Sequence, residues 1–156
     1  MSKCCENLFS GFVFEDIRSA NPPEKKGIYV IKIKKKGKPI QEIEEISKNL
    51  IKTLNWSLVG DYMLDRVRRI NRIEDCPIIY IGAAGPSERS KNTLMGRYKE
   101  FSGRHTVMYP IWMLLYFGWE LEFGWEVCRN PKDEEAILKE KYKALHNNKL
   151  PALVKQ

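Results

Sequence analysis

Three short segments of the chain have the apolar pattern of β-strands. Residues 27–34 are rich in β-branched side chains at alternate positions, and residues 119–127 alternate strictly between apolar and polar. Residues 78–82 instead form a nearly continuous apolar run. Strict alternation predicts a strand with one buried and one solvated face, whereas a continuous run is typical of a central strand covered on both faces. The pattern therefore predicts a small sheet with residues 78–82 in a central position.

Helical periodicity, in which apolar residues recur every three or four positions, occupies most of the remaining chain. It predicts five helices, which cover residues 41–56, residues 61–72, a short segment capped by Asn92 or Thr93, residues 110–117 and residues 132–146. The first two helices form an insertion, residues 35–77, and residues 1–26 form an N-terminal arm. We expect a single α+β domain over residues 1–156, with a small three-stranded mixed or antiparallel sheet flanked by helices and a helical insertion between its first two strands.

Basic residues outnumber acidic ones, with 27 Lys and Arg against 20 Asp and Glu and a formal net charge of +7. The 43% of hydrophobic residues is enough for a folded core and excludes a disordered chain. A positive excess of this size favours an anionic partner such as nucleic acid or an acidic membrane surface. The four cysteines contain no Cys-x-x-Cys pair, so nothing indicates a structural zinc site.

The chain shows no sign of insertion into a membrane. Its longest stretch without ionisable side chains other than tyrosine, residues 106–119, is shorter than the roughly 20 residues that span a bilayer. The N-terminus lacks the apolar run of a signal peptide. We therefore expect an intracellular, cytoplasmic protein with no membrane partner.

Four motifs follow one another along the predicted elements. Gly-Ile-Tyr at residues 27–29 opens the first strand, and Tyr-Ile-Gly at residues 80–82 closes the second. Thr-Leu-Met-Gly-Arg at residues 93–97 and Glu-Ala-Ile-Leu-Lys-Glu-Lys-Tyr at residues 135–142 lie on predicted helices. In this order and context the motifs resemble those of the GIY-YIG nuclease family, over most of the chain outside the insertion.

The resemblance implies a metal-dependent DNA endonuclease that hydrolyses phosphodiester bonds at a single site. It implies that Glu135 binds one divalent ion, Mg²⁺ or Mn²⁺, and a hard cation of this kind takes few carboxylates beside waters and phosphate oxygens. It also implies that Arg97 holds the phosphate, for which a planar guanidinium is suited. Tyr29 would activate or orient the attacking water, and Tyr80 would face the same cleft from the neighbouring strand.

Each of these residues also has an ordinary structural interpretation. Glu135 is otherwise a solvated helix glutamate, with Glu134 and Glu140 as close competitors, Arg97 is a surface arginine, and the tyrosines are strand aromatics. For a phenol with a pKa near 10 to act as a base at neutral pH, its pKa must fall by ~3 units, or ~4 kcal/mol. The sequence leaves open whether Tyr29 does so or only orients water.

The chain departs from the family in one position of the arginine helix. Where the family often has a histidine or tyrosine four residues after the arginine, this chain has Phe101, which cannot transfer a proton. His105 is the candidate replacement, with a structural or solvated histidine as the alternative. Lys91 and Arg104 are weaker candidates for contact with a phosphate.

The insertion is the second departure from the family. On its second predicted helix three arginines recur every three residues, Arg66, Arg69 and Arg72. They are candidates for nucleic-acid binding, and a solvated basic face is an equally good interpretation.

The leading hypothesis is a GIY-YIG-type endonuclease acting on double-stranded DNA. Because one site per chain cuts one strand, cleavage of both strands would favour a homodimer. The alternative is a catalytically weak or inactive nucleic-acid-binding module that retains the nuclease fold, an interpretation that Phe101 favours. A third interpretation, a protein–protein scaffold built on the aromatic residues 109–125, is weaker because that stretch has the pattern of a core.

Overall fold

A computed structural model describes residues 7–69, 76–87, 89–101 and 108–154 of the protein. These residues form four strands, β1 (Val13–Asp16), β2 (Gly27–Lys35), β3 (Ile78–Ala84) and β4 (Glu120–Val127). They also form five helices, α1 (Ile40–Leu54), α2 (Ser57–Arg68), α3 (Leu94–Glu100), α4 (Met108–Tyr116) and α5 (Pro131–Leu145). The α+β class and the five predicted helices are confirmed.

The sheet has four antiparallel strands in the order β1-β4-β2-β3, so the prediction of three strands is wrong. The additional strand, β1, comes from the N-terminal arm and pairs with β4 at the sheet edge. Neither face of β1 is fully buried, so its sequence carries no alternation of buried and exposed positions. The segment is a strand because its backbone pairs with that of β4. The Phe14 ring lies over Gly124, where any side chain would collide with the ring.

Strand β3 lies at the other edge of the sheet, although its apolar run predicts a central strand. The C-terminal segment, residues 151–154, covers this edge and is buried along its length. The Leu153 N–H donates to the Ile79 carbonyl at 2.8 Å. The continuous apolar run reflects burial on both faces, since Ile79 packs with the core of α1–α4 and Ile78 and Ile81 pack with α5. The C-terminal segment shields the edge that would otherwise be open to pairing.

The two faces of β2 pack against different helices. Tyr29 and Ile31 point to one face and share a core with residues of α1, α2, α3 and α4. Ile28 and Val30 point to the other face, where they pack with Leu138 of α5. Full burial of an aliphatic side chain of this size contributes about 1.5–3 kcal/mol, so both layers stabilise the strand that begins with the Gly-Ile-Tyr motif.

The helical insertion packs onto the same core as the sheet. Ile43 of α1 and Val67 of α2 are fully buried in the cluster that contains Tyr29. Ile46 and Leu50 of α1 are 45% and 54% exposed, and they line an open apolar groove of about 720 Å³ against α4. The insertion therefore contributes to the layer of side chains behind Tyr29.

Candidate active site

Tyr29 and Tyr80 lie side by side on one face of the sheet. In the β2–β3 ladder Tyr29 is opposite Gly82 and Ile31 is opposite Tyr80, so the two tyrosines are diagonal neighbours. Their rings stack with centroids 5.8 Å apart and an interplanar angle of 29°. A hydrogen bond joins the two phenol groups. The structure thus brings together the two tyrosines that the sequence singles out.

Gly82 leaves the space that the Tyr29 phenol occupies. A Cβ atom at Gly82 would lie 2.5 Å from Cζ of Tyr29 and 2.6 Å from its hydroxyl oxygen. Atoms that are not bonded do not approach so closely, so any side chain at this position would displace the phenol. The absence of a side chain at Gly82, in the second tripeptide, therefore makes room for the ring of Tyr29, in the first.

Tyr29 is enclosed by aromatic rings and only 1% exposed. Phe123 stacks on its ring with centroids 5.4 Å apart, and Phe101 meets it edge-on at 5.9 Å. Burial, followed by the charge and hydrogen bond of Tyr80, raises the pKa of Tyr29 well above its ordinary value. The phenol is therefore protonated at neutral pH, and its hydrogen-bond partner is the phenol of Tyr80.

Arg97 and Glu135 both act electrostatically on the two tyrosines. Burial is the main cause of the raised pKa of Tyr80, as it is for Tyr29. The negative charge of Glu135 adds to the pKa of both phenols, and the positive charge of Arg97 lowers it. Tyr29 and Tyr80 stack on one face of the sheet, whereas Glu135 lies on α5, the helix that packs against the other face. We refer to these four electrostatically coupled residues as the cluster.

A short network on α3 holds the Arg97 side chain. Thr93 caps the helix by accepting the Gly96 N–H at 3.1 Å. Nη1 of Arg97 donates to Oε2 of Glu100 at 2.9 Å, and Nδ2 of Asn92 donates to Oε1 of the same carboxylate at 3.2 Å. Glu100 thus uses both oxygens to fix the direction of the guanidinium.

The Nε atom of Arg97 is buried and has no hydrogen-bond partner. Burial by itself would lower the pKa of Arg97, but the hydrogen bond to Glu100 and the charges of the tyrosines and Glu100 raise it. The guanidinium is therefore a stable cation with an unused donor. A buried donor without an acceptor is costly, and an anionic oxygen brought to this position would satisfy it.

Glu135 lies on the second turn of α5, a helix that begins with Pro131 at a favourable position for proline. Its side chain is 22% exposed, and Oε1 forms an ion pair with Nζ of Lys139 at 2.5 Å. The competing glutamates Glu134 and Glu140 are exposed. Among the three, Glu135 is the one whose charge acts on both tyrosines.

The remaining candidates near the arginine helix occupy varied positions. Phe101 is buried beside Tyr29, which its ring meets edge-on. Lys91 is exposed ahead of α3. His105 and Arg104 lie outside the described residues, so their part in the site stays a prediction.

The predicted arginine stripe is not a continuous solvated face. Arg66 is only 8% exposed, and its Nη1 donates to the Val154 carbonyl at 3.3 Å, while its guanidinium lies 5.1 Å from the centre of the Tyr62 ring. Arg69 pairs with Asp65 at 3.0 Å. Arg72 lies outside the described residues. The C-terminal segment covers this side of α2, so Arg66 fastens that segment.

The sequence alone did not identify Asn92, Glu100 and Lys139, which hold the two charged residues of the cluster. A signal for the latter two exists, because Glu100 follows Arg97 by three positions and Lys139 follows Glu135 by four. Both spacings place side chains on one helix face. Such pairs are common on any helix. They point to a site only when one partner, here Arg97 or Glu135, is already a candidate site residue.

The donor set of the cluster suits a hard cation that shares its ligands with a substrate. Across the described ranges, no three His, Cys, Asp or Glu side chains converge, so these residues form no all-protein cage. Glu135 offers one carboxylate beside two phenol groups, and Mg²⁺ is commonly bound through one or two carboxylates together with waters and substrate phosphates. The residues present therefore fit a divalent ion in that mode.

Comparisons with known protein families, with curated proteins and with solved structures find no match for this chain. Within the described residues, no helix combines the length and apolar character needed to cross a bilayer.

Proposed function

We propose that the protein is a metal-dependent DNA endonuclease of the GIY-YIG type that hydrolyses phosphodiester bonds. The observation that carries the proposal is the stacked pair of Tyr29 on β2 and Tyr80 on β3, on which Arg97 of α3 and Glu135 of α5 both act electrostatically. They are the residues that the motifs single out, and they are far apart in the sequence.

The chemistry follows from what each side chain can supply. The unused Nε donor of Arg97 is available to a phosphate oxygen, and its charge stabilises the additional negative charge of the pentacovalent transition state. Tyr29 is only 1% exposed and hydrogen-bonded to Tyr80, so it would orient the attacking water through the paired phenol of Tyr80. Glu135 would hold the divalent ion, and a bound ion of this kind would polarise the phosphoryl oxygen and lower the pKa of its water.

Double-stranded DNA is the substrate that the charge of the chain favours. The formal net charge of +7 supports association with a polyanion, and the unpaired Nε donor of Arg97 suits a phosphate oxygen. Because one cluster of this kind cuts one strand, cleavage of both strands would require two copies of the chain.

A second candidate function is a nucleic-acid-binding module with weak or no activity. The observation that favours it is Phe101, which packs edge-on against Tyr29 and brings no proton-transfer group to the cluster. Under this function the cluster would still bind a phosphate through Arg97.

Plasmid nicking separates the two functions. Supercoiled plasmid is incubated with the protein and Mg²⁺ or Mn²⁺, with and without EDTA. We expect nicking that requires the metal and that falls at least about a hundredfold in Tyr29→Phe and in Glu135→Gln. Matched controls are Tyr116→Phe, at an 84% exposed tyrosine, and Glu140→Gln, at an exposed glutamate of the same helix. Plasmid binding without nicking under either metal would favour the second function.

A further inference from the structure

The ion pair between Lys139 and Glu135 has no part in the chemistry described above. Nζ of Lys139 lies 2.5 Å from Oε1 of Glu135, and the two side chains are 25% and 22% exposed. Among the ion pairs in the described part of the chain, it is the only one in which neither side chain is more than 25% exposed. The carboxylate proposed to bind the metal thus already has a cation at one of its oxygens.

A second pair on the same helix provides a comparison. Lys143 lies 3.1 Å from Glu140, whose side chain is 74% exposed, so that pair is an ordinary surface contact worth a few tenths of a kcal/mol. The Glu135 carboxylate differs because it is half-buried and acts on Tyr29 and Tyr80. A partly buried carboxylate needs a counter-ion more than an exposed one does.

We propose that Lys139 is the resident counter-ion of the metal site and a phosphate ligand once the metal is bound. In the metal-free protein its ammonium neutralises Glu135. A divalent cation competes for the same carboxylate oxygens, and its arrival releases the ammonium from Glu135. The released ammonium then binds a phosphate oxygen of DNA held at the same ion. This inference rests on the proposed function.

The chemistry of lysine suits both states. Its ammonium is a compact charge on a flexible four-carbon chain with three donors, so it can leave a carboxylate and reach a neighbouring phosphate without backbone movement. Ligands of one metal ion lie close to one another, so a phosphate on the ion that Glu135 holds lies near the released ammonium. Until the exchange takes place, the ion pair leaves no uncompensated charge on the partly buried Glu135.

Binding of Mn²⁺ alone tests the first state. Free Mn²⁺ is titrated into the protein and followed by electron paramagnetic resonance, for the wild type, Lys139→Met, Lys141→Met and Glu135→Gln. Lys141 is an exposed lysine of the same helix and serves as the matched control. We expect Lys139→Met to bind Mn²⁺ about three- to tenfold more tightly than the wild type, with Lys141→Met within about a factor of two of it.

The outcomes distinguish this inference from the proposed function. Equal or weaker Mn²⁺ binding by Lys139→Met, with Glu135→Gln clearly impaired, would overturn the counter-ion role and leave the metal site standing. Mn²⁺ binding by Glu135→Gln that equals the wild type would instead contradict Glu135 as a metal ligand. Thermal unfolding of each variant checks that the fold is retained.

The salt dependence of DNA binding tests the second state. Affinity for a short DNA duplex is measured over a range of salt, in Ca²⁺ and in EDTA, for the wild type, Lys139→Met and Lys141→Met. With Ca²⁺ we expect the slope of log affinity against log salt to be steeper in the wild type than in Lys139→Met by about 0.9, the value for one phosphate contact. In EDTA the two slopes should coincide. Equal slopes in Ca²⁺, or a difference that persists in EDTA, would overturn the exchange.

Discussion

The phenol of Tyr29 occupies the space in which a side chain at Gly82 would lie, across the β2–β3 ladder. The relationship ties the two tripeptide motifs to each other physically. The first supplies the aromatic residue, and the second supplies both its hydrogen-bond partner, Tyr80, and the glycine that makes room for it. Each motif alone is a short string, and their meeting on adjacent strands is what gives them a common role.

Gly82→Ala should displace the Tyr29 ring. Because the new Cβ atom would lie 2.5 Å from Cζ of Tyr29, we expect a loss of about 1–3 kcal/mol in the free energy of unfolding, measured with urea. Gly11→Ala is the matched control, since its Cβ would meet only the flexible end of a glutamate side chain. Equal stability of the two variants would contradict the packing described for Gly82.

Stability at high pH should report the buried phenol. The pKa of Tyr29 is raised above the ordinary 10.0 chiefly by burial, so above about pH 10 the unfolded chain has lost a proton that the folded protein keeps. Stability from this group is therefore complete below about pH 10 and declines as pH rises further, by up to about 1.4 kcal/mol per pH unit.

Urea unfolding of Tyr29→Phe at about pH 8 and about pH 11 measures this contribution. The variant should lose less stability than the wild type over this interval. Tyr116→Phe, at an exposed tyrosine, should retain the wild-type dependence. A wild-type dependence in Tyr29→Phe would mean that the phenol is not the group responsible.

Glu100→Gln should impair the guanidinium of Arg97 without unfolding the helix. Glutamine can accept one of the two hydrogen bonds that Glu100 now accepts, from Asn92 and from Arg97, but it removes the charge that holds the arginine. On the proposed function we expect the nicking rate to fall about tenfold, mostly in kcat, with stability within about 1 kcal/mol of the wild type. A wild-type nicking rate would show that Glu100 does not position Arg97.

Arg66→Ala should act on stability more than on DNA binding. The buried guanidinium donates to the Val154 carbonyl and lies over Tyr62, so its loss leaves the C-terminal segment less firmly held. We expect a cost of about 1–3 kcal/mol in urea unfolding and an unchanged salt slope of DNA affinity. Arg69→Ala, which removes a half-exposed ion pair, should cost less than about 1 kcal/mol. A flattened salt slope in Arg66→Ala would instead favour a role of the arginine stripe in nucleic-acid binding.

Much of the fold could be predicted because burial leaves a local pattern in the sequence. Alternation identified β2 and β4, the apolar run identified β3, and helical periodicity identified the five helices. The candidate residues Tyr29, Tyr80, Arg97 and Glu135 were also chosen from motifs alone. Each of these predictions uses only residues that are close to one another in the sequence.

The rest depended on contacts between segments that are distant in sequence. A continuous apolar run shows that β3 is covered, but not that residues 151–154 cover it at the sheet edge. A spacing of three places Arg66 on a helix face, but the C-terminal segment decides that this face is buried. Likewise β1 is a strand because β4 offers it backbone partners.

The sequence by itself thus determined the five helices and three of the four strands, and its motifs singled out the candidate site residues. The tertiary structure decided which groups are in contact. The Tyr29 phenol packs against Gly82, Glu100 forms an ion pair with Arg97, and Lys139 forms an ion pair with Glu135. The physical reason is that periodicity reports whether a position is buried, whereas hydrogen bonds, ion pairs and pKa shifts depend on the identity and distance of the group that buries it.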